Sequence, residues 1–226
     1  MNDLVPTREW LHTLAEQLLA GDLYRRTGRI GLRATTGGFG QPEHFVGDVR
    51  RRARVDLLGP AGPELVVLRG DVETRSPLTT LAAAAGSADA ELGAPPVYAA
   101  QTSLDPESPA SLDADAAREL GRFIVYASDV LEQFRRAVAA RTPTIAQLWS
   151  EHFDLACSAS EVNFGASPGD ALHERPYLYV GPWTLPPPGD ATDWNETWGR
   201  SLTWTPAQTV DEGMAFLSAG AAALWG

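Results

Sequence analysis

The stretch WSEHFDLACSASEVNFGASPGDALHERPYLYVGPW, residues 149–183, is the most informative part of this chain for its fold. It contains two of the four histidines, the single cysteine, five carboxylates and two tyrosines. Residues Leu148 to Cys157 alternate as a strand does, and Tyr177 to Val180 predicts a second strand. Between them, residues 158–170 are rich in turn-forming side chains and predict a loop. So many polar and aromatic groups together indicate a site or a tightly packed loop.

Upstream of this stretch, the pattern predicts a helix followed by strands. Thr7 is a candidate N-cap for a helix with apolar residues at helical spacing, and Gly21 is its predicted end. A strand then ends in the loop GGFGQPEH, residues 37–44. Apolar residues alternate over 53–57, and a Gly-Pro-rich turn leads into Leu65 to Leu68, which predicts a hairpin.

Three helices are predicted in the remaining chain. A short one spans Leu78 to Ala85 and is followed by a surface linker at 87–111, rich in Ala, Pro, Ser, Asp and Glu. A long amphipathic helix runs from about Asp113 to Ala140. The last helix is predicted to begin at Thr205, since Gln208 three residues later completes a capping-box pattern.

These elements predict a single α+β domain over residues 1–226, with a mixed or antiparallel sheet and helices packed on one side. Similar elements recur in the same order before and after the linker, and GGFGQP and VNFGASP occupy matching places. This order suggests an internal duplication of an α-β-β-β-α unit, with half-repeats 7–86 and 112–226. The alternative is that two unrelated loops at strand ends both need glycine.

Composition excludes several functional classes. The net charge of −11 and the pI near 4.8 argue against nucleic-acid or anionic-membrane binding. All 18 cationic residues are arginine, so Schiff-base and phosphate-loop lysines are excluded. One cysteine allows no internal disulfide, and neither a signal peptide nor an apolar run of about 20 residues is recognised. A cytoplasmic location is expected.

His152 and Asp154 are the candidate catalytic residues. On a continuous strand the two side chains would project from the same face, so that the carboxylate orients the imidazole as a general base. The same pair could instead be structural. A further alternative is a metal site in which His173 is the third ligand, as in the facial triads that hold iron.

A substrate pocket is predicted where residues 37–48, 160–175 and 183–198 converge. Tryptophans beside carboxylates suit a cationic or amine-bearing ligand, because ring faces and carboxylates both attract positive charge. The candidate binding residues are Glu43, His44, Asn163, Asp170, Glu174, Trp183 and Trp194. The alternative for the loop at 160–175 is a plain connection in which glycines supply positive φ. No organic cofactor is expected, since no dinucleotide or phosphate-loop pattern is present.

The only basic cluster consists of Arg50, Arg51, Arg52 and Arg54. It is either a solvated strand that discourages aggregation or a patch that receives an anion or an acidic protein partner. Cys157 lies on an apolar-looking strand and is expected to be a small buried residue.

At WSEHFDLACS, FGASPGD and PYLYVGPW the chain resembles a group of uncharacterised actinobacterial proteins, and TGRIGLR and PLTTL extend the similarity over most of its length. It departs from that group in GFGQPEHFVGDVRRRAR. The group carries no established activity to transfer. The resemblance implies a role in specialised metabolism, with antibiotic biosynthesis of the aziridine-forming, azinomycin type as the example.

The leading hypothesis from the sequence is therefore a cofactor-free enzyme of actinobacterial specialised metabolism that uses acid/base chemistry on an amine-bearing small molecule. Ring closure such as aziridine formation is one reaction of this kind. The first alternative is a non-catalytic protein that binds a ligand or partner, or a helper subunit. The second is an enzyme that depends on a metal held by histidine and aspartate.

Overall fold

The computed structural model describes residues 3–225 and contains helices with two antiparallel sheets, which confirms the α+β class. The chain divides into two compact units. The first holds the residues up to Val125 together with Leu148–Phe153, and the second holds Tyr126–Gln147 and the residues from Asp154 onward. The internal duplication and its half-repeats stay predictions.

The first unit begins with a helix that is longer than expected. It consists of α1 (Leu4–Leu14), a π-helical segment (Ala15–Ala20) and α2 (Gly21–Thr27). The predicted end at Gly21 is wrong. Gly21 lies against the carbonyl oxygen of Gly93, which a Cβ would overlap, so this glycine permits a close approach. The helix ends instead at Gly28, whose φ of 73° is left-handed. Thr7 lies inside α1, and its hydroxyl accepts a hydrogen bond from the Asp113 N–H.

The first sheet has the strand order β1-β2-β4-β5-β6, and β3 pairs with β4. Its strands are β1 (Arg33–Thr35), β2 (Gly38–Gly40), β3 (His44–Val46), β4 (Val49–Asp56), β5 (Glu64–Arg69) and β6 (Val72–Pro77). The predicted hairpin is confirmed as β4–β5. The prediction of a loop over residues 37–44 is wrong for β2, an inner strand. Glycine is needed there because a Cβ on Gly40 would lie 2.5 Å from Arg54 Cα.

The two faces of β4 differ in polarity, as the sequence pattern predicted. Ala53, Val55 and Leu57 are all buried in the core of the unit. Arg52 and Arg54 belong to the opposite, charged face, because successive strand residues alternate. Helix α3 (Leu81–Ala88) begins three residues later than expected, since the Thr80 hydroxyl accepts the hydrogen bond that caps it.

The segment between α3 and the next helix is an ordered strap. Over residues 89–111 it forms no helix and only an isolated bridge, as expected for a linker. However, it is tied to Glu16, a fully buried residue of the π-helical segment. The Glu16 carboxylate accepts hydrogen bonds from the backbone N–H groups of Gln101, at 3.0 Å, and Thr102, at 2.8 Å. A buried carboxylate needs such donors, and here the linker provides them.

The long amphipathic helix is confirmed as α4 (Ala114–Ala137). Asp113 precedes it, and one of its carboxylate oxygens accepts a hydrogen bond of 2.7 Å from the Ala116 N–H. The predicted continuous strand from Leu148 to Cys157 is wrong. Strand β7 (Gln147–Trp149) is followed by a turn in which Phe153 has a φ of 53°, and a new strand begins at Asp154.

The second unit contains an antiparallel sheet in which β11, β10, β9 and β8 are successive neighbours. The strands are β8 (Asp154–Ala159), β9 (Val162–Ser167), β10 (Tyr177–Pro182) and β11 (Arg200–Thr203). The prediction of a loop over 158–170 is wrong for β9. Ser160 and Glu161, with φ of 46° and 63°, form the two-residue turn that joins β8 to β9.

One face of this second sheet forms the core of its unit. The buried side chains on that face are Leu155, Cys157, Phe164, Leu178 and Val180. Helix α4 packs there, and the ring centroids of Phe134 and Phe164 are 4.5 Å apart.

The last helix, α5 (Val210–Trp225), begins five residues after the predicted start. The capping box is formed by Thr209 and Glu212. The Thr209 N–H donates to the Glu212 carboxylate at 2.7 Å, and the Glu212 N–H donates to the Thr209 hydroxyl at 3.3 Å. The residues around Thr205 form a single turn, in which the Gln208 N–H donates to the Thr205 carbonyl.

Candidate functional site

The face of the second sheet opposite its core is polar and aromatic. Strand register places Ala156, Gly165, Tyr179 and Ser201 in one row across β8 to β11. Tyr177 pairs with Ser167, so both tyrosines of β10 belong to this face. We call this surface the tyrosine face.

Tyr179 and Asp154 interact across the strand between them. The Tyr179 hydroxyl donates a hydrogen bond to the Asp154 carboxylate. Its ring passes over Gly165, where a Cβ would lie 2.5 Å from the phenolic oxygen. Burial, together with the neighbouring carboxylate, raises the pKa of Tyr179 well above its ordinary value. The phenol therefore stays protonated at neutral pH and acts as a donor.

A second tyrosine–carboxylate pair lies at the end of the same face. The Tyr177 hydroxyl donates to Asp170 at 2.5 Å, and the Asp170 carboxylate also accepts from the N–H groups of Leu172 and His173. Burial opposes ionisation of Asp170, but these three hydrogen bonds outweigh it and lower the pKa. Asp170 thus accepts hydrogen bonds from its own loop and is ionised at neutral pH.

His173 is the histidine of this face, and it lies beside a carboxylate. Its Nε2 is 3.0 Å from Glu196 Oε1, and the side chains are only 27% and 20% exposed. The Ser201 hydroxyl donates to the same Glu196 oxygen at 2.7 Å. The His173 ring packs on Tyr177, with centroids 4.8 Å apart. The approach of Glu196 to Nε2 is an electrostatic contact, since within residues 3–225 this nitrogen makes no hydrogen bond, and the ring is positioned by its packing on Tyr177.

His152 does not occupy a comparable place. It lies in the turn after β7, its side chain is 71% exposed, and its Nε2 is 3.5 Å from Glu151. The alternation that would place it with Asp154 is lost, because the strand is interrupted and Phe153 has a positive φ. A catalytic role for His152 stays a prediction without the expected strand geometry.

The predicted binding residues of the second unit are only partly brought together. Asn163 accepts hydrogen bonds from Ser158, at 2.8 Å, and from the Trp183 indole, at 2.9 Å. The Trp194 indole donates to the Pro188 carbonyl, within its own loop. Glu174 is exposed.

Glu43 and His44 belong to the first unit. His44 opens β3, and its Nδ1 is 3.2 Å from the Pro42 carbonyl oxygen. Glu43 lies 3.8 Å from Arg50. The expected convergence of 37–48 with 160–175 and 183–198 stays a prediction.

The four arginines do not all lie together, because β4 directs Arg51 to one face and Arg50, Arg52 and Arg54 to the other. Arg50 pairs with Asp71 at 3.2 Å, whereas Arg51 donates to the Ala88 carbonyl at 3.0 Å. Arg54 lies 3.7 Å from Asp56 and from Glu73. Arg52 lines a cleft of about 840 Å³.

Neither the metal alternative nor the cysteine gives a reactive centre. Within residues 3–225, no three or more His, Cys, Asp or Glu side chains are grouped so that they could hold a metal ion, and the predicted set His152, Asp154 and His173 is no exception. Cys157 is 1% exposed, which confirms the prediction of a small buried residue. Burial raises the pKa of its thiol to about 12.

Sequence reasoning did not single out the two tyrosines of this face, Tyr177 and Tyr179. Trp198 contacts the Tyr179 ring edge-on, with centroids 6.1 Å apart. The Tyr-Leu-Tyr alternation in PYLYVGPW was a usable signal, because it places both phenols on one side of a strand. The partnership of His173 with Glu196 had no local signal, since it depends on how two loops meet.

Comparisons of the chain with models of known protein families, with curated proteins and with solved structures gave no match. In the part of the chain from residue 3 to 225, no helix has the length and apolar character that crossing a membrane requires.

Proposed function

We propose that the tyrosine face is a general acid–base site on which His173 transfers a proton to or from an amine-bearing small molecule. The observation that carries this proposal is the 3.0 Å approach of His173 to Glu196, beside the two tyrosine–carboxylate pairs. The proposal keeps the expectation of a cofactor-free enzyme of specialised metabolism acting in the cytoplasm. It replaces His152 with His173 as the base.

The chemistry of the imidazole supports this assignment. A carboxylate next to Nε2 favours the proton on that nitrogen, so the neutral ring keeps its lone pair on Nδ1. Nδ1 is then the atom that accepts a proton from the ligand. His173 and Glu196 are thus arranged as a general base beside a carboxylate.

The surroundings of His173 suit an amine. The tyrosine face combines the carboxylates of Asp154, Asp170 and Glu196 with the rings of Tyr177 and Trp198. Carboxylates and aromatic faces both attract an ammonium group. Ring closure of a 2-haloethylamine fits such a site. His173 accepts a proton from the bound ammonium group, the amine nitrogen then attacks the carbon bearing the halogen, and the halide leaves with the bonding electrons, which gives an aziridinium ion.

Halide release from 2-chloroethylamine tests the proposal. We expect a rate above the buffer background, and His173→Gln should lower this catalysed rate by about 100-fold or more. His152→Gln is the matched control, since its side chain is exposed, and it should keep the rate of the parent protein. If His152→Gln abolishes release and His173→Gln does not, the original base assignment is right and this proposal is wrong.

A non-catalytic ligand-binding protein is the second candidate. It is favoured by Trp183, which is 62% exposed although its indole is held by Asn163. An aromatic ring fixed at the surface is typical of a contact site. Ethylammonium, which cannot cyclise, distinguishes the two candidates in an NMR titration. Binding of ethylammonium without halide release from 2-chloroethylamine supports this second candidate, and the absence of both overturns both.

A further inference from the structure

The first unit contains a cleft that the proposed acid–base site does not use. Its volume is about 840 Å³, and it opens on the charged face of the first sheet, at β1, β4 and the turn before β5. This volume lies in the range of about 300–1,000 Å³ typical of small-molecule sites. The lining includes Arg52, Arg54 and Arg75, the carboxylates of Asp56 and Glu64, and the apolar groups of Leu58, Pro60 and Ala61.

Two of the three arginines are already paired. Arg75 reaches Asp56 at 3.1 Å, Glu64 at 3.4 Å and Glu73 at 3.2 Å. Arg54 lies 3.7 Å from both Asp56 and Glu73. The two carboxylates of the lining, Asp56 and Glu64, therefore lie on the same side of the cleft as Arg75, while Glu73 stands outside the lining.

Arg52 is the exception. Within residues 3–225 its guanidinium has neither a hydrogen bond nor an ion pair, although it lines the same cleft. It lies on the same face of β4 as Arg54, two residues away. A guanidinium is a planar fork of donors that matches a carboxylate through two parallel hydrogen bonds.

We infer that this cleft binds a small zwitterion of the amino acid type. The ligand carboxylate pairs with Arg52, and its ammonium group lies on the side of Asp56 and Glu64, the two carboxylates of the lining. The apolar body packs on Leu58, Pro60 and Ala61. Phosphate would pair with Arg52 but would leave Asp56, Glu64 and the apolar residues of the lining without a matching ligand group.

The test uses three probes with the same hydrocarbon body: L-leucine, 4-methylpentanoate without the ammonium group, and 3-methylbutylamine without the carboxylate. Binding is followed by NMR at low salt, through the amides of Thr36, Gly37, Gly59 and Ala61 around the cleft. We expect L-leucine to bind about tenfold more tightly than either partial probe, because it satisfies both charges. Equal binding of 4-methylpentanoate, stronger binding of phosphate, or no shift with L-leucine at millimolar concentrations overturns the inference.

Variants of β4 assign the carboxylate contact. Arg52→Gln should weaken L-leucine and 4-methylpentanoate binding about tenfold or more and leave 3-methylbutylamine unchanged. Arg50→Gln is the matched control, since Arg50 lies on the same face of β4 but pairs with Asp71, outside the cleft. If Arg50→Gln weakens L-leucine binding as much as Arg52→Gln does, binding depends on the overall positive charge of β4 and not on a contact with Arg52. If Arg52→Gln does not fold, Arg52→Lys is tested instead, because lysine keeps the positive charge but lacks the planar guanidinium group. L-leucine binding to Arg52→Lys that is as tight as to the parent protein overturns the assignment.

Discussion

Tyr179 donates a hydrogen bond to Asp154 across strand β9, and the ring reaches that carboxylate only because Gly165 has no side chain. The glycine of the FGASPG segment therefore serves a packing purpose in the middle of a strand, where glycine is otherwise unfavourable. This contact joins β8, β9 and β10 on the face that also holds His173. The tyrosine face is in this way supported by contacts between three strands of the sheet.

Gly165→Ala should destabilise the second unit. The new Cβ would lie 2.5 Å from the Tyr179 hydroxyl oxygen, so the ring must move and leave Asp154 without its donor. We expect a loss of about 1–3 kcal/mol in the free energy of unfolding, measured with urea and tryptophan fluorescence.

Gly86→Ala is the control for that substitution. Gly86 is an exposed residue within α3, and a Cβ there meets no atom within 4 Å. Alanine favours the helix, so stability should rise by up to about 1 kcal/mol. An equal loss from both substitutions would show that Gly165 has no particular role.

The tyrosines should make the protein sensitive to alkaline pH. Burial is the first cause of the raised pKa of Tyr98 and Tyr126, each to about 12, and of the raised pKa values of Tyr177 and Tyr179. A phenol whose pKa is higher in the folded state stabilises the fold below its unfolded value of about 10. That contribution is lost as the pH rises through the folded values.

Absorbance at 295 nm checks this prediction. These four phenols should remain protonated at pH 10.5 in the native protein and ionise together with unfolding at higher pH. Tyr179→Phe should make stability less dependent on pH above 10. Ionisation of all tyrosines near pH 10 without unfolding would contradict the buried positions.

Cys157 should report the opening of the second unit. Its thiol is buried, and burial raises its pKa to about 12, so little reactive thiolate exists at neutral pH. In native conditions, reaction with Ellman's reagent should be at least about 100-fold slower than in urea. Because the chain has one cysteine, the signal is assigned without further labelling. Equal rates in the two conditions would show that the strand is open.

Substitution of two threonines tests where α5 begins. Thr209→Ala should cost about 1 kcal/mol of unfolding free energy, because it removes the acceptor that caps the Glu212 N–H. Thr205→Ala should change stability by less than about 0.5 kcal/mol, as expected for an exposed surface position. Thermal or urea unfolding of the two variants decides between the predicted and the observed capping box.

Several elements could be predicted from the sequence because their signals are local. The apolar stripe of α4 and the alternation in β4 each depend on residues a few positions apart, and both are confirmed. Strand β2 was missed because its glycines resemble a turn, although they permit close approach of neighbouring strands. Strand β9 was missed for the same reason, since Gly165 makes room for a ring from another strand.

The amino-acid order was sufficient for the α+β class, the hairpin β4–β5, the helix α4 and the buried state of Cys157, because hydrophobic periodicity sets which side of an element faces a core. It was not sufficient to identify the partners of the titratable groups. The positive φ of Phe153 ends the alternation that was predicted to place His152 beside Asp154. Sheet register instead brings Tyr179 to Asp154, and the contact between two loops brings His173 to Glu196. Both contacts join residues that are distant in the chain, so no local pattern predicts them.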